Sequence, residues 1–414
     1  MLQVRVKDLF WGYFTDLFVI SSGIITLPLV LSLLTEDEIG MNYLMLSIAT
    51  IVSLIDFGFT PQLSRNLTYI FSGADKLKKE GVYTKPKKKS INYKLLSLTI
   101  KTSKIVYQII ATISFILMVL FGTIYINIIT DGFSTVENSL SIWLIFCFST
   151  FFNIYYSYYF SLLLGRGMIM ESKRAQFFSK FFYVFLTVIL LLNNFGLISI
   201  VISNLISPFV GRYIAYKAFF KPEISEKIDI YKFNFKEKKE NFLIIFYNAK
   251  KLGLVFIGAF AVSKLSIFLA GLYLNLNQIA SFGLMIQLFA VISMFSSVFF
   301  NVFQPRLASL RIKKNISKLK TDFAFCMNMY YLSYTLLTIF LILFSNDILN
   351  LIGSNVDLPN SSILILFSLI IFLEGNHSNF ASFITTENKV PFVIPALISG
   401  LFIAIGTYVS LQFT

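Results

Sequence analysis

Charge is scarce in this sequence. Asp, Glu, Lys and Arg make up 14% of its 414 residues, against about 25% in soluble domains. With 56% hydrophobic residues, 17% aromatics and a mean hydropathy of +0.76, an ordinary soluble domain is excluded and a multi-pass membrane protein is indicated. There is one histidine, so no zinc cluster can be built from it. No GxxxxGK[ST] segment occurs, so the phosphate-cradling loop of an ATP-driven motor is missing. No catalytic constellation, metal site or cofactor site is legible, and no enzyme activity is expected. The only two cysteines, Cys147 and Cys326, lie in apolar runs and read as small buried hydrophobes, not as a disulfide. The net charge of +14 would suggest nucleic acid in a soluble chain. Here the loops of a membrane protein account for it, and no nucleic-acid partner is expected.

A membrane span needs about 20 apolar residues. Eleven stretches qualify: 10–34, 41–64, 105–129, 140–165, 177–193, 197–220, 252–274, 279–303, 323–344, 362–384 and 391–412. Arg5 and Lys7 before the first stretch imitate a signal peptide, but the apolar run is too long and lacks a small-residue cleavage site. It is the first span. Of the 35 basic residues, all but Lys264 fall on alternate loops and adjoining helix ends, whereas the opposite loops hold Glu36, Asp37, Glu38, Asp131, Glu137, Asp347 and Asp357. The positive-inside rule therefore places the N-terminus in the cytoplasm.

Two of the basic loops are long. Residues 72–92 are polybasic and read as an orientation device that also touches anionic membrane lipid, the alternative being a direct role in collecting an anionic substrate. Residues 221–241 intersperse charge with Ile228, Ile230, Phe233 and Phe235 and read as a linker lying along the membrane surface. That divides the chain into an N-terminal bundle (1–220), a cytoplasmic linker (221–241) and a C-terminal bundle (242–414). A faint echo supports the division: residues 39–54 align with 279–294 at an offset of 240, sharing Ile, Leu-Met and Ser positions. Six spans precede the linker, so the second half enters in the same orientation, as a parallel repeat with a cleft between two bundles.

Ionisable groups at membrane depth are expensive and mark function by default. Asp56 and Gly58, with Pro61 and Arg65 following, interrupt the second span, where loosened backbone is tolerated only against protein or a cavity. Taken at 1.5 Å per residue, Asp16 lies roughly 9 Å into the first span and Asp56 about 12 Å from the end of the second. By the same measure Lys264 is about 20 Å beyond Lys251, and Glu374, with His377 one turn on, is about 15 Å above the end of the tenth span. Each has a plainer reading: Asp16 reaching interfacial water, Asp56 capping a kink, Lys264 neutralising a carboxylate, His377 packing. Together they fit a hydrated cleft of mixed charge.

Lys7–Tyr13, Leu27–Leu34, the acidic turn Glu36–Gly40, and Asp56–Gly58 followed by Arg65 resemble the first two spans of polysaccharide-exporting flippases in the multidrug/oligosaccharidyl-lipid/polysaccharide (MOP) superfamily, closest to the O-antigen flippases. The resemblance implies an all-α polytopic protein of two six-helix-type bundles around a central hydrated cleft. It also implies twelve spans where eleven are counted. The implied activity is translocation of undecaprenyl-diphosphate-linked repeat units of lipopolysaccharide O-antigen from the inner to the outer leaflet of the bacterial inner membrane. Arg65, Arg212, Lys264 and Arg306 are then candidates to hold the diphosphate. Asp16, Asp56, Glu374 and His377 are candidates to couple transport to H+ or Na+. Contact with polysaccharide assembly proteins goes with that role. A drug/cation antiporter of the same superfamily is the alternative. An O-antigen polymerase is a further one, although such enzymes resemble proteins with a large outer loop, and the longest outer segment here is 345–361.

Overall fold

The computed structural model describes residues 6–71, 73–79, 91–263, 265–300, 303, 307, 310, 315–385 and 393–412. Among them every regular element is a helix. α1 (Val6–Leu33) turns into α2 (Glu36–Ser53), a 3-10 turn at Leu54–Asp56 interrupts that span, and α3 (Phe59–Phe71) completes it. α4 (Tyr93–Leu117) passes through a π turn at Met118–Gly122 into α5 (Thr123–Ile129). α6 (Ser139–Tyr156) and α7 (Tyr158–Arg166) form a second interrupted span, followed by α8 (Ile169–Leu192) and α9 (Ile198–Phe219). The short α10 (Pro222–Asp229) leads to α11 (Phe235–Ser263), α12 (Leu265–Ala270) and α13 (Leu276–Ser296). α14 (Ile316–Ile352), α15 (Ser361–Thr385) and α16 (Val393–Leu411) follow.

Among the described residues, nine helices are long and apolar enough to cross a membrane. The two other runs expected from hydropathy, 252–274 and 391–412, fall on α11–α12 and α16. Several helices outrun their apolar stretches. α4 starts at Tyr93 rather than 105, α11 at Phe235 rather than 252, and α14 spans Ile316–Ile352 rather than 323–344. Hydropathy stops at the first charges, but Lys and Glu are good helix formers, so the backbone continues beyond the apolar part. Large apolar side chains such as Phe121, Leu351 and Phe402 are exposed on the outside, as a lipid-facing surface requires. Both cysteines are buried, and neither forms a disulfide.

The segment after α9 is docked against α4. Ile224 and Ile228 of α10 are buried, the Ser97 hydroxyl donates to the Ile228 carbonyl at 2.7 Å, and the Lys101 ammonium donates to the Tyr231 carbonyl at 2.6 Å. Ile230 and Phe235 stay exposed.

α2 and α13 carry the internal echo into three dimensions. Each begins with a capping box, Thr35 with Glu38 and Asn275 with Gln278, at the same offset of 240. The two helices then pack on each other. A Cβ on Gly40 would run into the Leu276 carbonyl, and one on Gly283 into the Tyr43 ring. The Tyr43 hydroxyl lies 2.7 Å from Oε1 of Gln287. A core cluster containing Leu44, Met45, Trp143 and Leu284 surrounds this seam. A second cluster, with Leu63, Tyr107, Leu162 and Phe219, draws mainly on the N-terminal part of the chain but also takes in Ile224 and Ile228 of α10 and Ile245 and Ala249 of α11. A third, with Phe289, Cys326, Tyr330 and Leu364, lies within the C-terminal part.

Candidate functional site

The interruption between α2 and α3 is built from its own residues. Phe57 and Gly58 both adopt left-handed backbone, at φ 45° and 71°. Glycine does so freely, whereas a phenylalanine there costs about 1–2 kcal/mol. Asp56 offsets part of that cost by capping α3: its carboxylate accepts from the Thr60 N–H at 3.1 Å and the Thr60 hydroxyl at 3.2 Å. The Thr60 oxygen is also 2.7 Å from the Tyr107 hydroxyl. Pro61 falls in the first turn of α3, where its missing N–H is harmless.

Asp56 also faces space. A cavity of about 430 Å³ is lined by Ser53, Asp56, Thr60, Thr150, Asn153, Ser157 and Asn204, with Ala49, Val52 and Ile154. Ser157 marks the second interruption, between α6 and α7, so two broken helices meet at one polar chamber. A neighbouring cavity of about 400 Å³ shares Asn153 and Asn204 and adds Asn42, Gln176, Ser179, Lys180 and Ser207. The Asn153 amide donates to the Ser149 carbonyl at 3.0 Å and reaches the Asn204 carbonyl at 3.4 Å. The paired chambers present a carboxylate on one side, a cation on the other and amides between. Chemically, such a lining offers hydrogen bonds from its amides and hydroxyls, a positive charge at Lys180 and a carboxylate at Asp56.

Lys180 is absent from the residues singled out by sequence, where it counts merely as an inner-end lysine. It sits eleven residues into α8, about 16 Å along the helix. Its ammonium lies 4.1 Å from the centre of the Tyr183 ring, a cation–π contact. The signal in the sequence was distance along the helix: Lys173 and Arg174 lie two turns nearer the start of α8.

The other expected site residues are dispersed. Asp16 is exposed and pairs with Lys173 at 2.6 Å, tying α1 to α8. Arg65 is exposed on α3. Arg212 is half-buried, with its guanidinium 4.7 Å from the centre of the Tyr156 ring and donating to the Tyr156 hydroxyl at 3.3 Å. Glu374 and His377 are both exposed on α15, while Gly375 between them packs against Tyr330 and Asn376 accepts from the Tyr331 hydroxyl at 2.8 Å. Lys264, Arg306 and the loop around Lys87 lie outside the described residues. Among the described residues no group of three or more His, Cys, Asp or Glu forms a metal cluster.

No protein-family model matches this chain, and no curated protein matches it significantly. Among solved structures the fold is similar to an inward-facing multidrug resistance MATE family transporter of the MOP superfamily, with a TM-score of 0.61 and 13% identity, covering 95% of this chain and 84% of that one. It is similar to the same degree to the lipid II flippase MurJ in an inward closed conformation, at TM-score 0.61 and 14% identity, covering 97% of this chain and 80% of that one. At such identities the likeness is one of fold.

Proposed function

We propose that this chain is a flippase carrying an undecaprenyl-diphosphate-linked O-antigen or polysaccharide repeat unit from the cytoplasmic to the periplasmic leaflet by alternating access, driven by H+ or Na+. The observation that carries the reading is the double chamber of Asn42, Asn153, Gln176, Lys180, Asn204 and Asp56 inside an apolar fold. Moving a sugar through hydrocarbon costs several kcal/mol for each unpaired polar group. Amide-lined space removes most of that cost while the polyprenyl tail stays in lipid. Lys180 joins Arg65, Arg212, Lys264 and Arg306 as a residue to receive the diphosphate, and Asp56, more than the exposed Asp16, Glu374 or His377, is positioned to hold the coupling ion.

The moving bodies on this reading are residues 1–220 and 242–414, joined by 221–241 and hinged at the α2–α13 seam, with the N-terminus cytoplasmic. Assembly proteins of the polysaccharide pathway would receive the product. Deleting the gene and locating lipid-linked sugar by leaflet tests the reading: accumulation in the cytoplasmic leaflet, reversed by the intact gene, is the expected outcome. Asp56 also supports a second reading. A carboxylate in a chamber suits an organic cation, and the fold is equally similar to a drug transporter. Efflux of organic cations with no change in lipid-linked sugar would favour that antiporter.

A further inference from the structure

Beside the interruption, on its apolar side, lies a groove of about 420 Å³ that no helix among the described residues fills. One wall is a stripe on α4, Thr102, Ile105, Val106, Ile109 and Ile110; the other is a stripe on α11, running from Phe235 through Lys238, Lys239, Phe242 and Leu243 to Phe246. Both follow the i, i+3, i+4, i+7 spacing of a single helix face. The floor is Ile55, Phe57 and Phe59, the residues flanking Asp56. Ile109, Phe235 and Leu243 are exposed at the mouth, so the groove opens sideways, where lipid lies.

Three features specify the occupant. The groove is apolar along its length, and Thr102 to Ile110 covers about 12 Å. The lysines stand at one end only. Lys101 reaches the Tyr231 carbonyl just before α11 begins, and the Asn241 amide lies 3.5 Å from the Thr99 hydroxyl, so Thr102, about one turn beyond Thr99, lies deeper along the groove than Lys238 and Lys239. Finally, Thr102 is 2% exposed and its hydroxyl has no hydrogen-bond partner among the described residues. A buried unsatisfied hydroxyl is costly and calls for an acceptor. Two ammonium groups, a lone donor deeper in and a greasy slot about it match a phosphate, an ester carbonyl and an acyl chain in that order. A polyprenyl diphosphate has no ester carbonyl to offer. The acidic neighbours do not cancel the lysines: Glu237 is engaged in a reciprocal cap with Asn234, and Glu240 is exposed and does not line the groove.

We propose that the α4–α11 groove is a binding site for one anionic diacyl phospholipid, seated against the turn whose other side presents Asp56. The site is independent of what the chambers carry.

The test uses the full chain in vesicles of phosphatidylcholine with a minor fraction of brominated lipid, and reads quenching of an Ile109→Trp reporter after subtracting the signal from the chain without it. Brominated phosphatidylglycerol should quench at roughly tenfold lower mole fraction than brominated phosphatidylcholine, since each lysine near a surface favours anionic lipid. Lys238→Gln with Lys239→Gln, both at the rim, should bring the two lipids to parity, and Thr102→Val should weaken both. Equal quenching by the two lipids, or a preference that survives loss of both lysines, overturns the site. Undecaprenyl phosphate displacing phosphatidylglycerol at equal mole fraction would give the groove to a polyprenyl lipid and overturn the assignment. Should the variants not insert, the salt dependence of the preference in the reporter chain decides: a preference that rising salt leaves unchanged contradicts a lysine-held phosphate.

Discussion

At the scale of single residues, substitution separates the observed capping role of Asp56 from the ion-coupling role proposed for it. Asparagine caps a helix as well as aspartate does, whereas alanine loses about 1 kcal/mol. Asp56→Asn should therefore melt with the unsubstituted chain and yet lose gradient-driven transport, while Asp56→Ala should lose both stability and transport. Thermal unfolding in detergent alongside a transport assay checks this, and wild-type coupling in Asp56→Asn would remove the residue from the ion path. Lys180 is argued in the same way. A charge-assisted contact is worth about 1.5–3 kcal/mol, so Lys180→Met should slow transport by about tenfold or more where binding limits the rate. Lys180→Arg should retain part of it. If Lys180 serves only the Tyr183 ring, Lys180→Met will lower the melting temperature and leave transport intact.

At the scale of elements, the broken span and the α2–α13 seam make different demands. Gly58→Ala places a Cβ on left-handed backbone and should cost about 1–2 kcal/mol, seen as a lower melting temperature. Gly40→Val and Gly283→Val push side chains into the facing helix at about 1–3 kcal/mol each. Because the two glycines sit on one seam, their effects should not add. The interruption was legible from Asp56, Gly58 and Pro61, because a carboxylate and two helix-loosening residues within an apolar run have few other uses. The seam was legible only as a weak repeat, to which the matched caps at Thr35 and Asn275 give substance. The chamber lining was not legible. Asn42, Asn153 and Asn204 carry no charge, and amides scattered over α2, α6 and α9 become one surface only when those helices pack. Asp16 shows the reverse: its partner Lys173 lies 157 residues away, beyond any local pattern.

At the scale of the whole molecule, the all-helical membrane fold followed from composition and span length, and the solved structures of similar fold agree with it. The span count and orientation make a further prediction. A reporter active only outside the cytoplasm should be silent when fused near Lys87 and active when inserted near Glu137; the opposite pattern would invert the topology. The central claim is lipid-linked sugar translocation, and purified protein in liposomes tests it most directly. With a fluorescent undecaprenyl-diphosphate oligosaccharide in both leaflets, the fraction protected from a membrane-impermeant quencher should fall over time only in liposomes containing the protein. The exchange should quicken when a proton or sodium gradient is imposed, and slow in Asp56→Asn and Lys180→Met. A protected fraction that stays constant, in liposomes where the same protein moves an organic cation, would contradict the account.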